Sequence, residues 1–417
     1  MATWGGGQAR GSGLRGGRFD CGAASGYRLP LGTEIDTDII ARLAAKGDGV
    51  TSDGRHVQLA APGDRLTGDG RLLPGPHHIT PPCMHFPACG GCELQHVDEE
   101  SFAAFATARV TGPLAGQGIT AETVLPAHVS PPKTRRRASL RASREGRRIV
   151  IGFAESGSHK LIDLAMCEIL DPRLFALVQP LRDVLRLVLP DRRAANVRMS
   201  LVDQGVDLLL EGIRVEGLAA DEALGDFANA CKLARLTIDE GDGQQVRWEP
   251  EPVTVSFGGV AVGFPAFAFL QATSDGEAAL VEFVREALPV RGAVADLFCG
   301  LGTFALAIGE GRPVYAAEGA RDLVLSLKLA ANRAQRRMAV DHRDLFRRPL
   351  TPEELNKFAA VVIDPPRAGA REQVMQLAAS AVPLIAYVSC NPASFARDAA
   401  HLVAGGYVLE SVKPVGQ

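Results

Sequence analysis

The sequence predicts an α/β protein built from three folded parts, and three observations lead to this fold class. In the last third of the chain, short apolar or β-branched runs alternate with helical segments. That alternation is typical of βαβ units in a doubly wound parallel sheet. Between about residues 77 and 270, strand-like and helical segments mix without this alternation, which indicates an α+β region. Residues 36–76 show short apolar runs separated by turns such as Lys46–Gly49, which fits a small antiparallel barrel.

The first 35 residues contain ten glycines and little apolar periodicity. Such a segment buries too little apolar surface to fold by itself. We therefore expect residues 1–35 to be disordered, or to be an extension created by a start codon placed too early. The predicted order is this extension, the barrel at 36–76, the α+β region at 77–270 and the doubly wound domain at 271–417.

The composition argues against a membrane or secreted protein. Hydrophobic residues make up 46% of the 417, yet no uncharged apolar run approaches the roughly 18 residues of a membrane span. The N-terminus lacks the apolar segment of a signal peptide. We expect a cytoplasmic monomer.

A basic segment lies between residues 130 and 150, although the formal net charge of the chain is −3. Phosphate contacts are local, because the Debye length is only about 8 Å at physiological ionic strength, so this segment is suited to contact an RNA backbone. A solvated edge strand would explain the same charges. The segment holds one acid, Glu145, and eight bases: Lys133, Arg135, Arg136, Arg137, Arg141, Arg144, Arg147 and Arg148.

Four of the eight cysteines form one pattern, Cys83-x5-Cys89-x2-Cys92 followed by Cys167. Four sulfur ligands suit zinc and an iron–sulfur cluster about equally. A closed set of four thiolates indicates a structural or RNA-contacting role, because radical chemistry needs an iron with an open position. The remaining cysteines, which show no pairing pattern, are Cys21, Cys231, Cys299 and Cys390.

The segment Asp296–Thr303 ends the first strand of the doubly wound domain and opens a helix. Its glycines, Gly300 and Gly302, let the backbone approach a ligand closely at the carboxyl end of that strand. A dinucleotide site would continue to a third glycine, but Ala305 stands there, which favours S-adenosylmethionine over NAD.

Three further acids follow later strands of the same domain. Glu318 closes the second strand, where an acid can bind ribose hydroxyls, and Asp344 follows the third, where an acid can read adenine. Asp364 opens the segment Asp364–Gly369, whose two prolines fix a rigid turn beside the reacting methyl group. Amino-methyltransferases place an aromatic residue after this turn, and Arg367 in its place counts against amine methylation.

Cys390 is the candidate nucleophile. It precedes Asn391 and Pro392, a good N-cap and first helical residue, so it should lie at the positive end of a helix dipole that favours a thiolate. A thiolate there suits C5 methylation of a pyrimidine, because adding sulfur to C6 makes C5 nucleophilic. A base must then remove the C5 proton. A small buried cysteine is the plain alternative. Cys299 lies within the glycine turn and is expected to serve packing.

These motifs together resemble the RNA (uracil-5-)-methyltransferase family, in its TRAM-containing iron–sulfur branch that acts mainly on 23S rRNA. The resemblance runs from about residue 36 to the end. The segments that carry it are Cys83–His96, Gly152–Cys167, Asp296–Thr303, Asp364–Gly369 and Ser389–Asp398.

The resemblance implies a Rossmann-like class I methyltransferase domain behind a TRAM-like, OB-shaped RNA-binding barrel. It implies a [4Fe-4S] cluster on Cys83, Cys89, Cys92 and Cys167, Cys390 as the nucleophile, and 23S rRNA as the partner. The tRNA-specific branch is expected to lack the cluster and the barrel. The cofactor-binding residues expected from the motifs and the resemblance are Gln271, Asp296, Gly300, Gly302, Glu318, Asp344 and Asp364.

Two departures from the family pattern matter. Thr273 stands where the family usually has Asn, which should weaken one cofactor contact. The family continues beyond the segment matching Val412–Val415 into a final antiparallel strand with a His-x-Glu motif, whose glutamate is the expected general base. Because this chain stops at Gln417, we expect that base to be absent from it and the Tyr407–Val415 strand to become an unprotected edge.

Three alternatives stay open at the level of sequence. One is an RNA-binding relative that keeps the fold and the cluster but turns over poorly. Another is C5 methylation of tRNA. The third is a methyltransferase of other specificity, such as one acting on cytosine C5 or an exocyclic amine.

Overall fold

The computed structural model describes residues 1–6 and 37–416. No helix within these ranges is long and apolar enough to cross a bilayer. The helices are α1 (Glu99–Gly116), α2 (Pro172–Phe175), α3 (Val178–Val188), α4 (Leu218–Ala230), α5 (Ser274–Ala287), α6 (Thr303–Ile308), α7 (Arg321–Arg333), α8 (Pro352–Leu355), α9 (Arg371–Ala378) and α10 (Pro392–Ala404).

Within the described residues the strands form five sheets. In chain order the strands are β1 (Ala2–Gly6), β2 (Thr37–Leu43), β3 (Gly49–Thr51), β4 (His56–Val57), β5 (Arg65–Thr67), β6 (Leu72–Leu73), β7 (Thr123–Val124), β8 (His128–Val129), β9 (Arg137–Glu145), β10 (Arg148–Gly152), β11 (Ala194–Val202), β12 (Gly205–Glu211), β13 (Leu233–Asp239), β14 (Gln244–Trp248), β15 (Thr254–Phe257), β16 (Val260–Gly263), β17 (Val294–Leu297), β18 (Val314–Glu318), β19 (Met338–His342), β20 (Ala360–Ile363), β21 (Leu384–Tyr387), β22 (Tyr407–Val412) and β23 (Val415–Gly416).

The largest sheet has eight strands in the order β19-β18-β17-β20-β21-β1-β22-β7. Strands β17 to β21 run parallel, and every residue of β17 and β20 is buried, as expected for strands covered by helices on both faces. The strand order reverses between β17 and β20. The carboxyl ends of these two strands therefore border the crevice where ligands of doubly wound sheets bind.

The N-terminal strand β1 lies inside this sheet, antiparallel to β21 on one side and to β22 on the other. Trp4 is fully buried in it, and Thr3 hydrogen-bonds Ser411 at 2.7 Å. Two expectations are corrected here. Ala2–Gly6 are ordered, and β22 is not an edge, because β1 fills the antiparallel position beside it and β7 pairs with its other side. The remainder of the predicted extension, residues 7–35, and Cys21 lie outside the described residues.

The central sheet has six strands in the order β10-β9-β11-β12-β13-β14, and α3 and α4 contribute to its core. Helix α3 turns Leu181, Val184 and Leu185 inward, which is the i, i+3, i+4 pattern of an amphipathic helix. Between this sheet and the doubly wound domain lies a buried pair. Both oxygens of Asp207 accept hydrogen bonds from Arg235 at 2.8 Å, and Arg235 also donates to the Phe264 carbonyl at 3.1 Å.

The N-terminal part folds as five short antiparallel strands in the order β4-β3-β2-β5-β6. Buried Asp64 fixes its turns, because its carboxylate accepts from the amides of Ala61 and Gly75 and contacts the His78 ring at 2.8 Å. Helix α1 follows this sheet and packs against α10 of the doubly wound domain. The barrel-like part is thereby brought to the helix that follows the candidate nucleophile.

Candidate active site

The glycine turn stands at the carboxyl end of β17. Gly300 and Gly302 have φ values of 56° and 92°, in the left-handed region that favours glycine. A Cβ at Gly302 would come within 2.5 Å of Leu327, so this residue must be small. A Cβ at Gly300 would meet no atom within 4 Å, so this glycine faces open space. The turn therefore leaves room above its backbone at the mouth of the crevice.

Asp296 is fully buried beneath this turn. Its Oδ2 accepts from the Ala305 amide at 2.7 Å, but its Oδ1 is buried without a hydrogen-bond partner among the described residues. Burial raises the pKa of Asp296 well above its ordinary value, and the neighbouring Asp364 and Glu318 carboxylates add to the rise. A buried acceptor with nothing to accept from is costly. The site thus fits a ligand that brings a hydrogen-bond donor or a cation.

Glu318 and Asp344 hold the next two loops of the crevice. The carboxylate of Glu318 accepts from the amides of Gly300 at 3.1 Å and Ala320 at 2.8 Å, so it braces the glycine turn. Asp344 accepts from the Phe346 amide at 3.0 Å and caps its own turn. The ring of Phe346 lies 5.3 Å from that of Phe298, so an aromatic pair borders this end of the crevice.

Asp364 follows β20 on the other side of the switch point. Burial raises its pKa to about 7, and the amino group of Met1 opposes the rise. Its ordinary value of 3.8 would leave it fully ionised at neutral pH. Asp364 is therefore a carboxyl group that titrates near neutrality beside the crevice.

Cys390 is exposed immediately before α10. Asn391 caps this helix, because its side chain accepts from the Ala393 amide at 3.2 Å, and Pro392 takes the first helical position. The Asn391 amide group also donates to the Arg367 carbonyl at 2.9 Å, which ties the cysteine loop to the loop after Asp364. The exposed thiol therefore lies at the N-terminal end of a helix of 13 residues.

The basic segment does not form one RNA-facing surface. Arg136 pairs with Glu277, and its Nε donates to the Gln271 carbonyl at 3.0 Å; its side chain is only 13% exposed. Arg144 donates to the carbonyls of Arg186 and Leu189. The interpretation of these two residues as RNA contacts is thus not supported. Each guanidinium group binds acceptors of the protein itself.

Arg137 interacts electrostatically with the candidate nucleophile and stacks on an aromatic ring. Its guanidinium carbon lies 4.4 Å from the centroid of the Phe269 ring, which is itself 57% exposed. Burial and the neighbouring Arg135 and Arg136 lower the pKa of Arg137, whereas Cys390 raises it through their electrostatic interaction.

The segment around Gln271 is anchored from two sides. Thr273 caps α5, because its hydroxyl accepts from the Gly276 amide at 3.1 Å, and it hydrogen-bonds Ser130 at 2.8 Å. Arg136 holds the Gln271 carbonyl. The threonine that departs from the family pattern thus has a structural role as a helix cap.

The four patterned cysteines line a single cavity of about 290 Å³, together with Phe86, Phe153 and Arg135. Two loops close it, because the Gly90 amide donates to the Ala154 carbonyl at 2.9 Å and the Ser156 amide donates to the Ala88 carbonyl at 2.9 Å. Burial raises the pKa of Cys92 to about 11. Deprotonating several thiols in this cavity therefore requires a cationic partner.

The comparisons with known proteins identify the family. An uncharacterized RNA methyltransferase of Zymomonas mobilis is 50% identical over 378 residues, which cover 91% of this chain and 95% of that protein. Residues 263–410 match the family tRNA (Uracil-5-)-methyltransferase. The chain belongs to the RNA (uracil-5-)-methyltransferase family.

Two more members of this RNA (uracil-5-)-methyltransferase family show how the likeness extends. The 23S rRNA (uracil(1939)-C(5))-methyltransferase RlmD of Pectobacterium atrosepticum is 30% identical over 82% of this chain and 77% of that protein. The tRNA (uracil-54, C5)-methyltransferase of Pyrococcus abyssi, solved with S-adenosyl-L-homocysteine, has a TM-score of 0.66 and 21% identity, covering 88% of this chain and 93% of that chain. The predicted fold class and the predicted enzyme class, an S-adenosylmethionine-dependent RNA (uracil-5-)-methyltransferase, are confirmed.

For this methyltransferase the sequence missed several site residues. Arg137, which interacts electrostatically with Cys390, and Phe269, whose ring lies under the Arg137 guanidinium, carry no motif, and Arg137 was assigned to a general basic segment. The aromatic pair Phe298 and Phe346 was also missed. Phe269 lies two residues before Gln271, but its exposure is visible only in the structure, so the sequence carried no signal for it.

Proposed function

We propose that this methyltransferase transfers a methyl group to C5 of a uridine in 23S rRNA through a covalent bond between Cys390 and C6. The observation that carries the proposal is the position of Cys390. It is exposed at the positive end of α10, beside Arg137, and tied through Asn391 to the loop that follows Asp364 at the crevice.

The reaction begins at the thiol. The Cys390 thiolate adds to C6 of the flipped uridine, and the C5–C6 double bond becomes an enolate that is nucleophilic at C5. S-adenosylmethionine, when bound, supplies an electrophilic methyl group to C5. A general base then takes the C5 proton, the Sγ–C6 bond breaks, and Cys390 is regenerated. The resemblance gives this last role to a glutamate in a His-x-Glu strand.

Residues of the crevice would bind the methyl donor in different ways. Gly300 and Gly302 leave space for it, and the partnerless Oδ1 of Asp296 suits a hydrogen-bond donor such as an ammonium group. We assign Glu318, Asp344 and Gln271 to the same site, with Glu318 acting on the glycine turn that it braces. Asp364 supplies a carboxylate close to the developing reaction centre.

We infer that the cavity around Cys83, Cys89, Cys92 and Cys167 holds a [4Fe-4S] cluster. The cavity gathers all four thiols, although Cys167 follows Cys92 by 74 intervening residues. Four thiolates are the ligand set of such a cluster. Because all four positions are protein sulfur, the role of the cluster is structural.

The RNA path follows the groove between the barrel-like strands and α10. This groove has a volume of about 790 Å³, and its walls include Arg42 of β2, Phe105 and Arg109 of α1, and Asn391–Ala393 next to the nucleophile. The exposed Arg42 guanidinium suits a phosphate, and the aromatic ring suits a base, whereas Arg109 donates to the Ala45 carbonyl. A ribosomal substrate is favoured over tRNA by the similarity to RlmD across most of the chain.

Trapping with 5-fluorouridine RNA tests the proposal, because fluorine at C5 blocks the last elimination. The chain should form an RNA–protein adduct that survives denaturation and depends on S-adenosylmethionine. Cys390→Ala should abolish the adduct. Cys231→Ala, which removes a thiol outside the eight-stranded sheet, should keep it. An adduct that persists in Cys390→Ala would refute the assignment. Product nucleoside analysis on 23S rRNA and tRNA fragments then decides the substrate.

A further inference from the structure

A buried carboxylate joins the two loops that the proposed reaction must hold together. Asp398 lies in α10 and is fully buried. Its Oδ2 accepts two hydrogen bonds of 2.7 Å, one from the Ala370 amide and one from the Tyr387 hydroxyl. Tyr387 ends β21, three residues before Cys390, and Ala370 ends the loop that begins at Asp364.

Two further contacts reinforce this bridge. The Arg397 guanidinium lies 3.4 Å from Asp398 Oδ1 and donates to the Ala368 carbonyl at 2.6 Å. Gly369 between these anchor points has a φ of 85°, and a Cβ there would stand 2.6 Å from Asp398 Oδ2 and 2.7 Å from the Arg397 guanidinium. The loop therefore closes directly onto the Asp398 carboxylate with no room for a side chain.

We infer that Asp398 is a positioning residue that sets the distance between Cys390 and the Asp364–Gly369 loop, acting through Tyr387 and Ala370. The inference rests on the proposed function. A buried carboxylate is stable only when it is hydrogen-bonded. The bonds of Asp398 come from the end of the loop after Asp364, from the end of the strand that leads to Cys390, and from Arg397 in α10. Because each loop carries one side of the reaction, the carboxylate fixes their separation in the ground state.

The chemical consequence is a matter of geometry. A displacement of about 1 Å of the reacting groups can cost about 10²-fold in rate, even when binding is intact. Losing an Asp398 bond should therefore slow attack and methyl transfer without weakening the binding of RNA or of S-adenosylmethionine. A residue with a merely structural role would lower stability alone.

The test compares Tyr387→Phe with Tyr407→Phe, which is a matched control. Both hydroxyls are buried in the same domain, but Tyr407 donates to the Val382 carbonyl at 2.8 Å, at the opposite end of β21. The measurement is the single-turnover rate of adduct formation with 5-fluorouridine RNA at saturating S-adenosylmethionine, with separate dissociation constants and melting temperatures. Tyr387→Phe should slow adduct formation roughly tenfold and Asp398→Asn about 10²-fold, at unchanged dissociation constants. Tyr407→Phe should keep the wild-type rate.

The outcomes separate this inference from the proposed function. A wild-type chain that forms no adduct overturns the proposed function itself. Three results would overturn the positioning role. In the first, Tyr387→Phe and Asp398→Asn both form the adduct at the wild-type rate; in the second, Tyr387→Phe and Tyr407→Phe slow it equally. In the third, the variants change only the dissociation constants. If Asp398→Asn does not fold, Tyr387→Phe decides. Where both variants fold, the double variant should lose less than the product of the single losses, because the two share one oxygen atom.

Discussion

Arg137 of β9 stacks on Phe269 at 4.4 Å and interacts electrostatically with Cys390, although 253 positions separate Arg137 from Cys390 in the chain (390 − 137). The central sheet thereby contributes a cation to the nucleophile of the doubly wound domain. A thiolate beside a guanidinium is stabilised relative to the thiol. A residue of the central sheet therefore interacts with the candidate nucleophile of the doubly wound domain.

Arg137→Gln should slow alkylation of Cys390 by iodoacetamide at neutral pH severalfold, because the thiolate loses its neighbouring cation. Arg141→Gln is the matched control, since Arg141 is an exposed arginine of the same strand, four residues further along. Mass spectrometry of the Cys390 peptide gives the rate. Equal rates in both variants would mean that the helix dipole alone activates the thiol.

Arg136 should prove structural. Arg136→Met leaves Glu277 buried without its partner and should lower the free energy of unfolding by about 2–4 kcal/mol at pH 7. Burial already raises the pKa of Glu277 above its ordinary 4.5, and removing Arg136 raises it further. A carboxyl whose folded pKa is raised destabilises the fold above that pKa, so the deficit should narrow as pH falls toward 4.5. Urea unfolding at several pH values measures it; a deficit that grows on acidification would contradict this account.

The salt dependence of RNA binding tests the remaining basic residues. Arg141 and Arg147 are exposed, so reversing both charges to Glu should weaken binding to all RNAs alike and flatten the dependence on salt. Arg136→Met should leave the slope unchanged wherever the variant is folded. If the two charge reversals leave the salt dependence of RNA binding unchanged, Arg141 and Arg147 do not contact RNA and the strand is a solvated edge.

Asp364 should make cofactor binding depend on pH. Burial raises the pKa of Asp364 to about 7, so its carboxylate form is lost as pH falls below 7. In the proposed site this carboxylate would attract the sulfonium of S-adenosylmethionine. As pH increases toward 7, affinity for S-adenosylmethionine should therefore rise by up to about tenfold per pH unit, and above pH 7 it should level off. Calorimetry with S-adenosylhomocysteine, whose sulfur carries no charge, should show a weaker dependence, and Asp364→Asn should remove the difference. Parallel profiles for both ligands would place the titrating group elsewhere.

The cysteine cavity predicts iron. Anaerobically purified protein should be brown and contain about four irons per chain. Cys167→Ser should lose iron and stability together, because this residue closes the cavity from a distant loop. Cys231→Ser, outside the cavity, should keep both. Stoichiometric zinc without iron would instead make this a zinc site.

The strand β1 should be essential to the catalytic sheet. Trp4 is fully buried between β21 and β22, so Trp4→Ala should cost about 3–5 kcal/mol of unfolding free energy. Trp248→Ala, at a half-buried tryptophan of the central sheet, should cost less. Loss of β1 should also expose strand edges, which light scattering would detect as aggregation. A Trp4 variant as stable as the wild type would show that this strand is dispensable.

The sequence by itself determined the local chemistry of this protein. Asp296–Thr303, with a small residue forced at Gly302, and Asn391 followed by Pro392 could be placed on turns and helix starts, because each depends on backbone conformation and neighbours a few residues away. The alternation of strands and helices likewise predicted that the strands of the eight-stranded sheet from β17 to β21 run parallel.

Only the tertiary structure decided which charges face the site. Arg136 and Arg137 are adjacent in the chain, yet their partners differ. Arg136 pairs with Glu277, whereas the Arg137 guanidinium lies over the Phe269 ring. The place of β1 in the sheet and the closing of Asp398 onto Ala370 likewise join distant segments. Such contacts are set by which surfaces meet when the domains pack, and the sequence carries no local signal of that meeting.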